Sequence, residues 1–306
     1  MGKRKRRNAN NRPPSTLYHY TTADGLLSMF RTGHLWATDA GYMNDPHELR
    51  YGLDCLAMVA ERHARFRRVA AQLRSLIEDV ARQKILNGRI YLASFSRDGD
   101  LLSQWRAYGA NGGGFAIGLS SRVLLATAPE FSGQATRVLQ RVVYDKRLQV
   151  AQLEQALRKI STRHIAGERA RLPLLLWFSD FLMSFKHPSF SEEAEWRLIQ
   201  FGRLLDRDGN EAASLWPASF RVRGGRIVSY ADLDLTGDRG VLAGKLPAVE
   251  IVCGPTVHRE LGIKVLRELC ESMGYRAVIK GSRESRTTAD KRPRLLISAS
   301  ATPFVS

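Results

Sequence analysis

The 306-residue chain is long enough for one large domain or two small ones, and its 44% hydrophobic and 25% charged composition is that of an ordinary globular protein rather than a disordered or repetitive one. Its unusual quantity is a net charge of +17, a surplus that repels itself in the compact state and favours polyanionic partners. No run reaches the roughly 18 apolar residues that a membrane span needs, and Cys55, Cys253 and Cys270 are spaced for neither a zinc finger nor a redox pair, so a soluble cytoplasmic protein with reduced thiols is expected.

The first 15 residues carry Lys3, Arg4, Lys5, Arg6, Arg7 and Arg12 before any acid and no apolar run, which predicts a disordered basic tail over 1–15 rather than a secretory signal. Residues 16–22 (TLYHYTT) have strand composition. They lead into a helix over 23–32, where Leu26, Leu27 and Phe30 have helical spacing and Gly33 can end it. A short strand at 35–38 comes next. Asn44, Asp45 and Pro46 then supply a turn and a helix cap. Leu49, Leu53, Leu56 and Val59 mark one amphipathic stripe, and Val69, Leu73, Leu76, Ile77 and Val80 a second, both expected to pack against a sheet.

Residues 89–96 (RIYLASFS) predict a central strand, then a short helix over 101–108, a glycine turn at 111–114 and a strand over 115–119. Further strands are expected at 137–144, 193–201, 220–222, 226–230, 248–253 and 275–280, with helices at 146–163, 169–186 and 257–273. The charged, polar stretch after the last strand predicts a mobile segment over 283–306. No internal repeat or linker divides the rest, so one α+β domain over 16–282 is expected.

In a strand, residues two apart share a face. Residues 17–21 therefore place Leu17, His19 and Thr21 on one side and Tyr18 and Tyr20 on the other, and His19 is open to a core role or a ligand role. Ser94 and Ser96 share a face and can line a nucleotide pocket or cap the next turn. Gln104, Trp105 and Tyr108 fall at helical spacing near the glycines, where an aromatic stack or core packing of Trp105 are both open. Over 190–199 (FSEEAEWRLI), alternation gathers Glu193, Glu195 and Arg197 opposite Ala194, Trp196 and Leu198. Two carboxylates so placed must be solvated on an edge strand, paired with Arg197, or used on a cationic centre.

Four segments taken in order, YHYTTADGLLSMFRTGHLWATD, YMNDPHEL, SFSRDGDLLSQWRAYGANGGGFAIG and FKHPSFSEEAEWRLI, resemble the bacterial domain-of-unknown-function family 2971. The opening strand and helix, the SFS strand and the Glu193-Ala194-Glu195 couplet more distantly resemble the ADP-ribosyltransferase superfamily. That resemblance implies a split β-sheet core with flanking helices and, here, a helical insert. It also implies NAD as substrate, with His19 and Thr21 on ribose hydroxyls or the nicotinamide amide, Tyr20 or Trp105 on a ring, and Arg197 or Lys186 on pyrophosphate. Glu195 would stabilise the oxocarbenium ion that forms as nicotinamide departs, and Glu193 would orient or deprotonate the acceptor.

The function expected is thus NAD-dependent ADP-ribosyl transfer to a nucleic acid or a nucleic-acid-bound protein, in the manner of a toxin or phage-defence effector. Two alternatives stand beside it. One is a nucleic-acid-binding module whose glutamates are structural; the other is a magnesium-dependent nuclease using Asp45, Glu48 or the glutamates. No resident metal, no membrane and no particular oligomeric state are implied.

Overall fold

A computed structural model describes residues 12–40, 47–81, 90–126, 137–160, 178, 181–201, 219–223, 225–236, 244–255, 258–282 and 290–303. Most of the expected basic tail, the Asn44-Asp45-Pro46 cap, most of the helix expected at 169–186 and residues 283–289 lie outside these. Strands of the first half are β1 (Thr16–Thr21), β2 (His34–Asp39), β3 (Ile90–Ser96), β4 (Phe115–Ser120) and β5 (Arg137–Arg141). Those of the second are β6 (Glu195–Phe201), β7 (Ser219–Arg223), β8 (Arg226–Asp234), β9 (Ala248–Cys253), β10 (Arg276–Ile279) and β11 (Arg294–Ala299). The helices are α1 (Ala23–Thr32), α2 (His47–Arg62), α3 (Arg67–Ala81), α4 (Leu102–Ala107), α5 (Ser121–Ala126), α6 (Lys146–Lys159) and α7 (Arg259–Ser272).

The strands form one mixed, open sheet in the order β10-β11-β9-β4-β1-β3-β2-β8-β7, with β6 also on β3 and β5 on β6. β3 determines its shape. One edge of β3 pairs antiparallel with β6 over its whole length, from Ile90 opposite Phe201 to Ser96 opposite Glu195. Its other edge meets β1 only at Ser96–Tyr18 and β2 only at Leu92–Thr38 and Tyr91–Asp39. Between those contacts β1 and β2 diverge, and the sheet divides beside residues 93–95.

One face of the sheet is covered by α1 and α7. α1 begins where the Thr22 hydroxyl accepts the Gly25 N–H and ends at Gly33, whose φ of 73° is the left-handed conformation that glycine adopts without a Cβ penalty. Its Leu26, Met29 and Phe30 join Leu17, Leu35, Ile117 and Leu119 in the main core, which continues under Leu266 and Cys270 of α7. α2 and α3 do not lie on the sheet as expected. Their Leu53, Leu56, Val59, Val69, Leu73 and Ile77 pack with Leu153 and Leu157 of α6 and with Phe178, Leu182 and Phe185 into a separate helical core. An apolar stripe requires an apolar neighbour but does not specify which one.

Two expected boundaries are corrected. Residues 290–303 are not a mobile end: β11 lies between β9 and β10, parallel to both, with Leu295 and Ile297 fully buried. The charged residues before it conceal a strand that pairs with β10, 18 positions upstream, and with β9, 46 positions upstream beyond α7. The domain therefore runs past 282. The strand expected from 193 begins at Glu195, because 188–193 form a 3-10 turn that ends at Ala194 with φ 43°.

Ile297→Ala should lower unfolding stability by about 2–5 kcal/mol, the usual range for emptying a packed site. Val222→Ala, at a largely exposed position, should change it by less than about 0.5 kcal/mol. Urea unfolding of both variants, monitored by circular dichroism, checks the contrast.

Candidate functional site

The division of the sheet opens a slot of about 510 Å³ with mixed polar and apolar walls. One wall is the end of β1 and the start of α1, with His19, Thr21, Thr22 and Asp24; the opposite wall is Trp36 and Thr38 of β2 with Arg221 of β7. Leu92, Ala93 and Ser94 of β3 lie between the walls, and Gln104 and Tyr108 close a third side. His19 holds the division together. Its Nδ1 lies 3.0 Å from the Ser94 carbonyl oxygen, which can only accept, so Nδ1 carries a proton in this contact. The ring is tilted against Phe95 at 5.8 Å.

The Ser94 hydroxyl neighbours the Glu195 carboxylate and helps to hold its pKa down. His19 and Glu195, 176 positions apart, therefore meet at one residue. Glu195 is 5% exposed and its charge is closely matched. Arg197, fully buried, donates Nε to Oε1 at 2.8 Å and Nη2 to Oε2 at 2.9 Å, and fixes its remaining arm on the Met183 carbonyl at 2.6 Å. Lys186 bridges Oε2 of Glu195 at 3.2 Å and Oε2 of Glu193 at 2.6 Å. Two carboxylates and two cations form an electrically neutral set. Burial alone would push the Glu195 pKa up, but the charge and bonds of Arg197, then Lys186 and the Ser94 hydroxyl, hold it down to about 2.

Of the sequence-predicted residues, His19, Thr21, Ser94 and Tyr108 line the slot side by side. Others are placed differently. Tyr20 borders the slot, but its hydroxyl donates to the Asp98 carbonyl and accepts the Leu101 N–H, and its ring meets Trp105 edge-on at 4.8 Å. Trp105 is 0% exposed and gives its indole N–H to Asp100 at 2.8 Å, so no ligand ring can stack on it. The Ser96 hydroxyl donates to the Glu193 carbonyl and accepts the Asp98 N–H, fixing a turn. Arg197 serves Glu195 and is sealed from any phosphate. β6 lies between β3 and β5, so the solvated edge-strand reading of the glutamates gives way to ion pairing.

Asp100 ties this support to the end of the chain by accepting the Ser300 hydroxyl and the Ala301 N–H. Burial raises the Asp100 pKa, but these bonds and that from Trp105 outweigh it and leave it lowered. The glycines at 112–114 serve a backbone approach: the Gly254 N–H donates to the Gly114 carbonyl at 2.9 Å, and a Cβ on Gly254 would lie 2.4 Å from the Gly112 oxygen.

Sequence reasoning missed Arg221, Trp36 and Thr38. Alternation in β2 puts Trp36 and Thr38 on one face and could have paired them. Nothing local reveals Arg221, whose Nη2 donates to Thr38 at 2.7 Å while its guanidinium lies 5.1 Å over Trp36 and 5.5 Å over Tyr230. Among the described residues no group of three or more His, Cys, Asp or Glu is arranged to hold a metal ion. Asp45 lies outside them. None of their helices is long and apolar enough to cross a membrane.

Fold and slot together define a mixed α/β protein with a large open sheet and a cleft where that sheet divides. Residues 104–198 match a family model described as "Protein of unknown function (DUF2971)", a stretch that holds Tyr108, Glu193, Glu195 and Arg197 but not His19. No curated protein and no solved structure matches the chain.

Arg197→Met should lower stability by about 3–5 kcal/mol, because it leaves Glu195 buried beside a single lysine. The folded pKa of Glu195 lies below the unfolded value of about 4.3. Its ionised form therefore stabilises the fold fully above about pH 5, and that stabilisation is lost as pH falls towards 2. Urea midpoints of the wild type should drop more steeply over this window than those of Glu195→Gln. Parallel curves would show that Glu195 is not the linked group.

Proposed function

We propose that the chain is an ADP-ribosyltransferase-like protein with a split-sheet core, and that the slot takes NAD as donor. One observation carries this reading: the sheet opens beside the histidine of the first strand and the serine of the third, with a carboxylate behind that serine. A cleft of a few hundred Å³ with few convergent polar groups suits a nucleotide-containing ligand. In this reading the Nε2 of His19 accepts a ribose hydroxyl, and the Thr21 hydroxyl bonds the second ribose oxygen or the nicotinamide amide. Tyr108 offers its ring to a base, and Arg221, already oriented by Thr38 and two aromatic rings, binds pyrophosphate.

The chemistry is a glycosidic exchange. The bond from ribose C1′ to the nicotinamide nitrogen breaks, nicotinamide leaves with the electron pair, and an acceptor nucleophile adds to C1′ as it loses a proton. Neither glutamate lines the slot, so Glu195 acts through the Ser94 hydroxyl, whose oxygen it makes more negative towards the developing oxocarbenium ion. Glu193, held outside the slot by Lys186, supports Glu195, and the acceptor's proton passes to water. The charge of +17 favours nucleic acid, or protein bound to it, as acceptor.

The test is release of labelled nicotinamide from NAD in the presence of RNA, DNA and protein. Ser94→Ala should lower kcat about 100-fold. Arg221→Ala should raise KM about tenfold and leave kcat little changed. A wild-type protein that releases no nicotinamide with any acceptor contradicts the proposal.

A further inference from the structure

The helical core carries a second feature, away from the slot residues. Where α2 turns into α3, residues 62–68 read Arg-His-Ala-Arg-Phe-Arg-Arg. Phe66 alone points inward, into the helical core, while Arg62, Arg65, Arg67 and Arg68 are exposed. The guanidinium of Arg65 lies 4.6 Å over the Phe66 ring, which is itself held by packing, so this arginine is oriented in advance. The last turn of α6 is brought to the same place. Glu154 accepts His63 Nε2 at 2.9 Å with one oxygen and Arg158 Nη2 at 3.0 Å with the other, and Arg158 and Lys159 extend the exposed basic surface.

Six exposed cations therefore face only Glu61 and Glu154 within these segments, a surplus of four. From this geometry we infer that the α2–α3 turn and the end of α6 form a docking surface for the phosphate backbone of nucleic acid. Three observations favour that occupant. Five of the six cations are arginine, whose planar fork pairs with phosphate oxygens two at a time. The amino end of α3 adds its positive dipole to the same surface. No large apolar side chain of 62–68 points outward, so the turn lacks the inserting residues with which amphipathic helices bind lipid. The surface reads backbone charge, not bases, and predicts affinity with little sequence preference. It goes beyond the slot and does not depend on NAD.

The experiment uses the full chain and a fluorescein-labelled 20-base-pair duplex of mixed sequence, with anisotropy read across a potassium chloride series. The combined variant Arg62→Gln, Arg65→Gln, Arg67→Gln, Arg68→Gln is compared with one that removes the same charge elsewhere: Arg31→Gln, Arg122→Gln, Arg226→Gln, Lys264→Gln. All eight positions are exposed, and thermal unfolding confirms that both variants fold.

The first variant should bind about 100-fold more weakly at 100 mM salt, with a log–log salt slope shallower by about three to four. The second should lose about threefold at most. Equal losses in the two variants, no loss in the first, or wild-type protein that binds phosphatidylserine vesicles and not the duplex would each overturn the inference. None of these outcomes bears on nicotinamide release, so the two proposals fail separately.

Discussion

The structure depends on how β3 shares its edges. One edge is paired in full with β6, and the other is divided between β1 at one end and β2 at the other. A strand so used leaves the backbone of Ser94 without a strand partner on that edge, and buried backbone polar groups require one. His19 meets that requirement at the Ser94 carbonyl. The residue that opens the slot to chemistry is thus also the one that makes the division tolerable, and the same bond keeps a proton on its Nδ1.

Behind the slot the electrostatics are closed on themselves. Glu195, Glu193, Arg197 and Lys186 form a set with no net charge, deep enough that each bond is strong and the loss of any partner is severe. Such a set is a rigid back wall. Ser94 joins the two sides: its carbonyl contacts the imidazole of β1, and its hydroxyl neighbours the carboxylate of β6. Helix α4, which carries Gln104 and ends at Tyr108, is braced in parallel by Tyr20, Trp105 and Asp100, and through Asp100 by Ser300 and Ala301.

Much of this was legible in the sequence where the signal is local. The period of two in residues 17–21 and 90–96 separated His19 and Thr21 from Tyr18 and Tyr20, and placed Ser94 with Ser96. The same rule failed at Glu193, because Ala194 turns into the left-handed region and ends the alternation there. Trp105 and Arg197 have the composition of ligand-binding residues, but burial decides their role and burial is a tertiary property. Arg221 reaches the slot from β7 across β8 and β2, a neighbourhood that no spacing encodes. β11 was hidden because its apolar core of Leu295, Leu296 and Ile297 is short and comes after a charged stretch, and its partner β9 is 46 positions away.

The proposed site turns on His19 holding its proton on Nδ1 against the Ser94 carbonyl. Nitrogen-15 spectra of the histidine-labelled protein, recorded while NAD is added, test this directly. The account predicts a His19 signal of the Nδ1-protonated tautomer whose Nε2 resonance shifts saturably with NAD. A His19 signal of the opposite tautomer, or one that stays fixed at saturating NAD, would contradict it.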